Sequence, residues 1–291
     1  MPGKNYRSEL VGLFGYPVDE NPTVITMEAG FKSLGLDYRY CTMEVKPENL
    51  KTAVAALKAL GFKGTHLTVP HKVSVIPFLD HISEEAGLIG AVNTVYIKDG
   101  ETFGVNTDGK GFIQSLEEDK ILIEGKRITI LGAGGAARAV AVELALKKAS
   151  RITIINRSRE RGKELAEHIS SITKAVSEFV LWESAVDTSL NGCPIPADTD
   201  ILVQTTSVGL YPDPACPNID YSTVRPPMLV CDIVPNPPET LFIRKARANG
   251  CRTLTGLPML VNQAGISFKF WTGLDAPVEA MREATMREFG V

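Results

Sequence analysis

Cysteine is scarce in this chain. Its five thiols, Cys41, Cys193, Cys216, Cys231 and Cys251, are odd in number and widely spaced, and none sits in a CxxC or Cys/His cluster. A disulfide framework and a structural zinc site are therefore not expected, and a reducing cytoplasm fits best. Long apolar runs are missing as well. The longest, Ile128 to Leu146, is broken by Arg138 and Glu143, whereas a membrane span needs roughly 20 residues almost without charge. No apolar run follows the Lys and Arg of the starting MPGKNYRSEL, so it does not read as a signal peptide. Neither sign of charge dominates, with 31 basic against 34 acidic side chains. That balance gives no electrostatic footprint for nucleic acid or an anionic membrane. What remains is chemistry on a small molecule, by a monomer or a homodimer.

Hydrophobic residues make up 44% and charged ones 22% of the 291 residues, a globular composition. At roughly 150 residues per domain the length suggests two. In the first half, Leu10 to Phe14, Asp37 to Val45, Lys63 to Val69 and Val92 to Ile97 read as strands, the last before an Asp99-Gly100 turn. Pro47 to Leu60 reads as a helix with apolar residues at Leu50, Val54, Leu57 and Leu60. The alternation predicts an α/β layer with parallel pairing. The second half repeats it: strands Ile128 to Leu131, Arg151 to Ile155, Ile201 to Thr205 and Met228 to Ile233, and helices Arg138 to Lys148, Arg159 to His168 and Glu239 to Ala248. The break falls near Asp108 to Leu116.

Gly132-Ala133-Gly134-Gly135-Ala136-Ala137 follows a predicted strand and opens a helix, the context that raises a glycine string above a bare turn. Gly132 permits the tight turn, Gly134 lets backbone approach a pyrophosphate, and Ala137 allows close helix–sheet packing. The helix N-terminus offers amides to phosphate. At the end of the next strand an NAD enzyme places a carboxylate for the ribose 2′-hydroxyl. Here the chain reads Asn156-Arg157-Ser158-Arg159-Glu160-Arg161. Arg157 or Arg161, with Ser158, would welcome a 2′-phosphate, so NADP is expected rather than NAD. The alternative is a solvated helix start.

Polar residues also gather where the strands of the first half end: Thr68-Val-Pro-His-Lys72, Gly90-Ala-Val-Asn93-Thr94 and Gly104-Val-Asn106-Thr107-Asp108. That edge is where open α/β sheets bind ligands. Spacing alone leaves plainer readings open: a surface lysine at Lys72, a turn former at Asn93, an N-cap at Asp108.

These blocks, with Gly64 to Lys72, Gly132 to Arg138, Asn156-Arg-Ser158 and Gly256-Leu-Pro-Met-Leu-Val-Asn-Gln263, make the chain similar to the shikimate/quinate dehydrogenase family from about residue 10 to residue 280. The resemblance implies an α/β protein of two domains. An N-terminal α/β substrate domain (1–107 plus 262–291) would accompany a C-terminal Rossmann-type NADP domain (108–261), with a last pair of helices returning to the first. It implies Lys72 and Asp108 as catalytic residues, Asn93 as a ligand of a substrate hydroxyl, and Thr68 and Gln263 as further substrate contacts. It extends the dinucleotide site to Asn156, Thr205 and Gly256. In carbonyl reduction negative charge grows on oxygen and a proton must arrive, and the Lys72 ammonium suits both needs. No catalytic histidine or metal is required. His71 reads as a helix-start residue, and His81 and His168 as surface residues.

The substrate pocket departs from the family pattern. Where the family has Ser-x-Ser-Pro to hold a carboxylate and then His-Asn, this chain has Asn21 and Thr23, followed by Met27 and Glu28. The family's Asn before Val-Thr is His66, readable as a substrate ligand or as a packed strand histidine. Its tyrosine in Asp-x-x-Tyr-x-Pro is Pro235. The expected activity is an NADP-dependent interconversion of a secondary alcohol and a ketone on a small cyclic polyhydroxy carboxylate of the shikimate or quinate type. A paralogue acting on another hydroxy acid, a non-catalytic NADP-binding protein and another two-domain NADP enzyme, of the methylene-folate type, are the alternatives.

Overall fold

Residues 6–185 and 192–291 are described by the computed structural model of the chain. The first five residues, part of the stretch that does not read as a signal peptide, lie outside them. Two compact units emerge: residues 1–107 with 264–291, and residues 108–263.

The first unit is built on strands β1 (Glu9–Gly15), β2 (Tyr38–Glu44), β3 (Phe62–Leu67), β4 (His81–Ile82), β5 (Thr94–Lys98) and β6 (Glu101–Val105). Among the described residues they order as β2-β1-β3-β5-β6-β4. β1 pairs parallel with β2 and β3, but β3–β5 and β5–β6 are antiparallel. The expected parallel pairing holds for β1 with β2 and β3 and for β4 with β6, while the two pairs made by β5 make the sheet mixed. For β5 and β6 the reason is local: Asp99 and Gly100 both take positive φ, 53° and 80°, the tight hairpin geometry that turns β6 back along β5.

Helices α1 (Thr23–Ser33), α2 (Leu50–Ala59), α3 (His71–Ser74) and α4 (Glu84–Ile89) join these strands. Helix α2 is shorter than the pattern suggested. Pro47–Asn49 forms a 3-10 turn before it, and Leu60 lies beyond its end and is exposed. Leu50, Val54 and Leu57 pack with Phe14, Phe62 and Leu67 as one apolar layer. Burying each such side chain stabilises the fold by roughly 1.5–3 kcal/mol. On α1, Phe31 stacks on Phe268 at 5.2 Å, and Trp271 donates to the Val95 carbonyl at 2.9 Å. Gly64 makes room for that indole, because a Cβ there would lie 2.4 Å from Trp271 Nε1.

In the second unit α5 (Asp108–Glu118) precedes β7 (Arg127–Leu131), α6 (Gly135–Leu146), β8 (Arg151–Asn156), α7 (Arg159–Ile172) and β9 (Val176–Leu181). Then follow β10 (Cys193–Pro194), β11 (Ile201–Gln204), β12 (Ile219–Asp220), β13 (Leu229–Asp232), α8 (Leu241–Ala248) and β14 (Arg252–Leu254). The main sheet orders β14-β13-β11-β7-β8-β9, with all pairs parallel. Alternate residues face opposite layers: Ile128, Ile130, Ile152 and Ile154 pack with α5, α6 and α7, while Leu131, Ile155, Leu202 and Val230 pack with α8. Helix α9 (Gly256–Thr272) begins in this unit and ends in the first, where α10 (Val278–Phe289) follows. Among the described residues no helix is long and apolar enough to cross a membrane.

Candidate active site

In the first unit the ends of β1 and β3 meet. The Thr68 amide donates to the Phe14 carbonyl and the Tyr16 amide to the Val69 carbonyl, both at 2.9 Å. A Cβ on Gly15 would fall 2.4 Å from Thr68 Cγ2, so glycine sets how closely the two ends approach. Thr68 is half-buried at this junction. The chain then turns into α3, which carries Lys72 on its first turn. The Lys72 carbonyl accepts from the Val92 amide at 2.7 Å, and the Asn93 carbonyl accepts from the Leu67 amide at 2.7 Å. Lys72 and Asn93 are therefore tied to the same strand end, although 21 residues of sequence separate them.

Asn93 is 2% exposed. Its Oδ1 accepts from the Thr107 amide at 2.7 Å and from the Thr94 hydroxyl at 3.0 Å, and its Nδ2 donates to Thr107 Oγ1 at 2.9 Å. Ser267 Oγ, on α9, lies 2.9 Å from Thr94 Oγ1 and 3.2 Å from Thr107 Oγ1. This buried set of hydroxyls holds the amide and the loop that leads into Asp108. Thr107 stood within the Gly104 to Asp108 block, but Ser267 was not singled out from the sequence; it carries no motif, and the topology alone brings residue 267 beside residue 94.

His66 is 3% exposed on β3, with Nδ1 2.7 Å from the Tyr40 hydroxyl and its ring 4.6 Å from that of Trp271. Burial, and secondarily the positive charge of Lys72, lower its pKa to about 3, so the imidazole is neutral. Its Nε2 has no hydrogen-bond partner among the described residues. At the start of α1, Asn21 Oδ1 accepts from the Thr23 amide at 3.1 Å and from the Thr23 hydroxyl at 2.6 Å. Met27 is fully buried, and Glu28 Oε1 accepts from the Tyr40 amide at 2.6 Å, where it serves the sheet. His71 holds the Val45 carbonyl with Nε2 at 2.6 Å, as suits a helix-start residue. His81 is exposed and bonded to Glu101, whereas His168 is half-buried rather than at the open surface.

The second unit carries the glycine loop. Gly132 takes φ +113°, a conformation L side chains rarely adopt, and its amide donates to the Ile155 carbonyl at 2.9 Å. The Thr205 hydroxyl donates to the Leu131 carbonyl at 2.6 Å, and a Cβ on Gly132 would stand 2.8 Å from that hydroxyl. At Gly134 an added Cβ would meet nothing within 4 Å, so the backbone there is open to approach. Helix α6 starts after it, at Gly135 rather than Arg138, without a side-chain cap, and Ala136 is half-buried on its first turn. Its first-turn amides are thereby offered to an anion. At the end of β8, Asn156 Nδ2 donates to the Ser158 carbonyl at 2.9 Å, and Ser158 Oγ accepts from the Arg161 amide at 3.4 Å as the cap of α7. Arg157 and Arg161 are exposed, and no carboxylate stands at this strand end. These residues fit a dinucleotide carrying a 2′-phosphate.

Asp108, 5% exposed, is the first residue of α5 and not the cap before it. Gln263 is buried on α9 with Nε2 donating to the Leu260 carbonyl at 3.1 Å, and Gly111 lies against its backbone. Gly256 opens α9, where a Cβ would lie 2.4 Å from the Val234 carbonyl. Next to it Asp232 is buried, accepting from the Val234 amide at 2.9 Å and the Thr240 hydroxyl at 2.6 Å. Burial raises its pKa to about 7. Pro235 is half-buried in the loop after β13.

Comparison with known proteins adds family matches along the chain. Residues 13–95 match a shikimate dehydrogenase substrate binding domain, residues 115–187 a shikimate / quinate 5-dehydrogenase, and residues 256–286 a shikimate 5′-dehydrogenase C-terminal domain. A shikimate dehydrogenase (NADP(+)) of Desulforamulus reducens is 40% identical over 98% of this chain and 97% of its own. The ligand-free structure of a 5-ketofructose reductase of Gluconobacter sp. strain CHM43 superposes with a TM-score of 0.86 at 43% identity, covering 98% of this chain and 100% of that one. A shikimate dehydrogenase in complex with NADP+ gives 0.87 at 37% identity, covering 98% and 97%.

Proposed function

The chain belongs to the shikimate/quinate dehydrogenase family, and on that premise we propose that it is an NADP-dependent oxidoreductase interconverting a secondary alcohol and a ketone on a small polyhydroxy compound of the shikimate or quinate type. The observation that carries this reading is the 40% identity to an NADP(+) shikimate dehydrogenase over nearly the whole of both chains.

The dinucleotide is held by Gly132 to Ala136, with Asn156, Thr205 and Gly256 shaping its surroundings and Arg157, Ser158 and Arg161 meeting the 2′-phosphate. When bound, it supplies or accepts the hydride. Lys72 gives a proton to the carbonyl oxygen as negative charge develops there, and takes it back in the reverse direction. Asp108 accepts a hydrogen bond from a substrate hydroxyl. Asn93, Thr68, Gln263, Asn21, Thr23 and His66 orient the ring and its substituents. The hydroxyls around Asn93 fix its amide, so the substrate meets a polar group that needs no reorganisation.

The test follows nicotinamide absorbance with NADPH and NADH against 3-dehydroshikimate and 5-ketofructose, and with NADP and NAD against shikimate and quinate. Turnover with the phosphorylated cofactor supports the proposal. No turnover of any compound, with NADP nonetheless bound, overturns it.

A further inference from the structure

The Asn21–Thr23 arrangement bears on the substrate class of the oxidoreductase site, and its meaning for the substrate rests on the oxidoreductase reading. The Thr23 backbone amide is a donor, so the atom of Asn21 that it meets at 3.1 Å must be the amide oxygen. The same Oδ1 receives the Thr23 hydroxyl proton at 2.6 Å. Thr23 is 4% exposed and begins helix α1. Its single proton is thus committed inside the protein, and its oxygen offers a ligand lone pairs alone. Asn21 offers Nδ2 as a donor.

A donor beside an acceptor suits an alcohol hydroxyl, which accepts from one and donates to the other. It does not suit a carboxylate, which only accepts and would set a charged oxygen against Thr23 Oγ1. His66 points the same way. Tyr40 has a proton to give and His66 Nδ1 lies 2.7 Å away. With that proton donated, the imidazole carries its own hydrogen on Nε2, the atom buried without a partner among the described residues. Neutral at ordinary pH, it adds a donor but no charge of its own, and the positive charge beside it is that of Lys72. We infer that this chain's substrate is an uncharged polyhydroxy ketone, and that Asn21 and Thr23 read one of its hydroxyls where the family pattern takes a carboxylate.

The experiment is steady-state kinetics with NADPH on 5-ketofructose, an uncharged polyhydroxy ketone, and on 3-dehydroshikimate, a charged one. The expected kcat/KM ratio favours the uncharged ketone by roughly 100-fold, the upper end of what one unsatisfied buried hydrogen-bonding group costs. Asn21→Ser releases the Thr23 hydroxyl as a donor and is expected to swing the ratio toward the acid by about 10-fold or more, chiefly through KM. A wild-type preference for the acid overturns the inference and leaves the family activity standing, and the wild-type ratio decides this even where the variant fails to fold. A folded variant whose ratio does not move overturns the role given to Asn21. Turnover of neither compound, nor of shikimate or quinate, overturns the oxidoreductase reading and the inference with it.

Discussion

The Tyr40 hydroxyl stands 2.7 Å from Nδ1 of His66, and both side chains are buried. Burial also keeps the phenol protonated, since it raises the Tyr40 pKa well above the ordinary tyrosine value. The roles within the pair follow the ring tautomer: with Tyr40 donating, the hydrogen of the neutral imidazole sits on Nε2.

Acid stability reports on this pair. Folding lowers the His66 pKa from 6.5 to about 3. The unfolded chain takes a proton on this ring first, so between those values stability falls as pH falls, by about 1.4 kcal/mol per pH unit. Above pH 6.5 the group has no effect. His66→Asn is expected to lose less stability than the parent between pH 6 and pH 4, roughly, as read by urea unfolding. An unchanged slope would mean that the imidazole is protonated in the fold.

Asp232 produces the opposite slope. Its pKa rises from 3.8 to about 7 on folding, so the unfolded chain ionises first as pH rises. The cost grows through that window and is complete above it. Asp232→Asn keeps an oxygen for the Val234 amide and removes the charge. The expected outcome is a Tm above the parent's at roughly pH 8, with the gain vanishing near pH 4. A variant less stable at both values would contradict the buried-carboxylate account.

Much of the second unit was legible in the sequence because one rule governs it. Its strands are apolar runs buried on both faces, and Gly132 of the loop meets a local steric demand. Strand β9, with Val176 exposed, and the three-residue β14 lack such runs and left no trace. The first unit was harder to read. The antiparallel pairing of β3 with β5 is made across the connection through α3 and α4, which no turn motif announces, and helix α1 begins at a loop whose motif had diverged. In the site, Lys72, Asn93 and Asp108 stood out through their blocks. Tyr40 and Ser267 did not, because their roles come from residues 26 and 173 positions away. The hydrogen-bond direction within Asn21 and Thr23 is likewise a fact of geometry, which residue types alone leave undecided.

Cofactor choice is expected to depend on Arg157, which is exposed at the end of β8 where a carboxylate would serve NAD. Arg157→Ala should weaken NADP by about 10-fold or more, the worth of a charge-assisted bond to phosphate, and alter NAD little. Isothermal titration with both dinucleotides measures the two losses separately. Equal losses would place the 2′-phosphate elsewhere.

The account depends most on Lys72 as the proton donor. Single-turnover reduction by Lys72→Ala, loaded with NADPH and saturated with whichever ketone the parent turns over, tests that role directly. The rate is expected to fall by about 100-fold or more, the usual contribution of a positioned acid, with NADPH affinity within a few-fold of the parent. A variant that reduces the ketone at the parental rate would contradict the assignment and leave the proton to be delivered by another group.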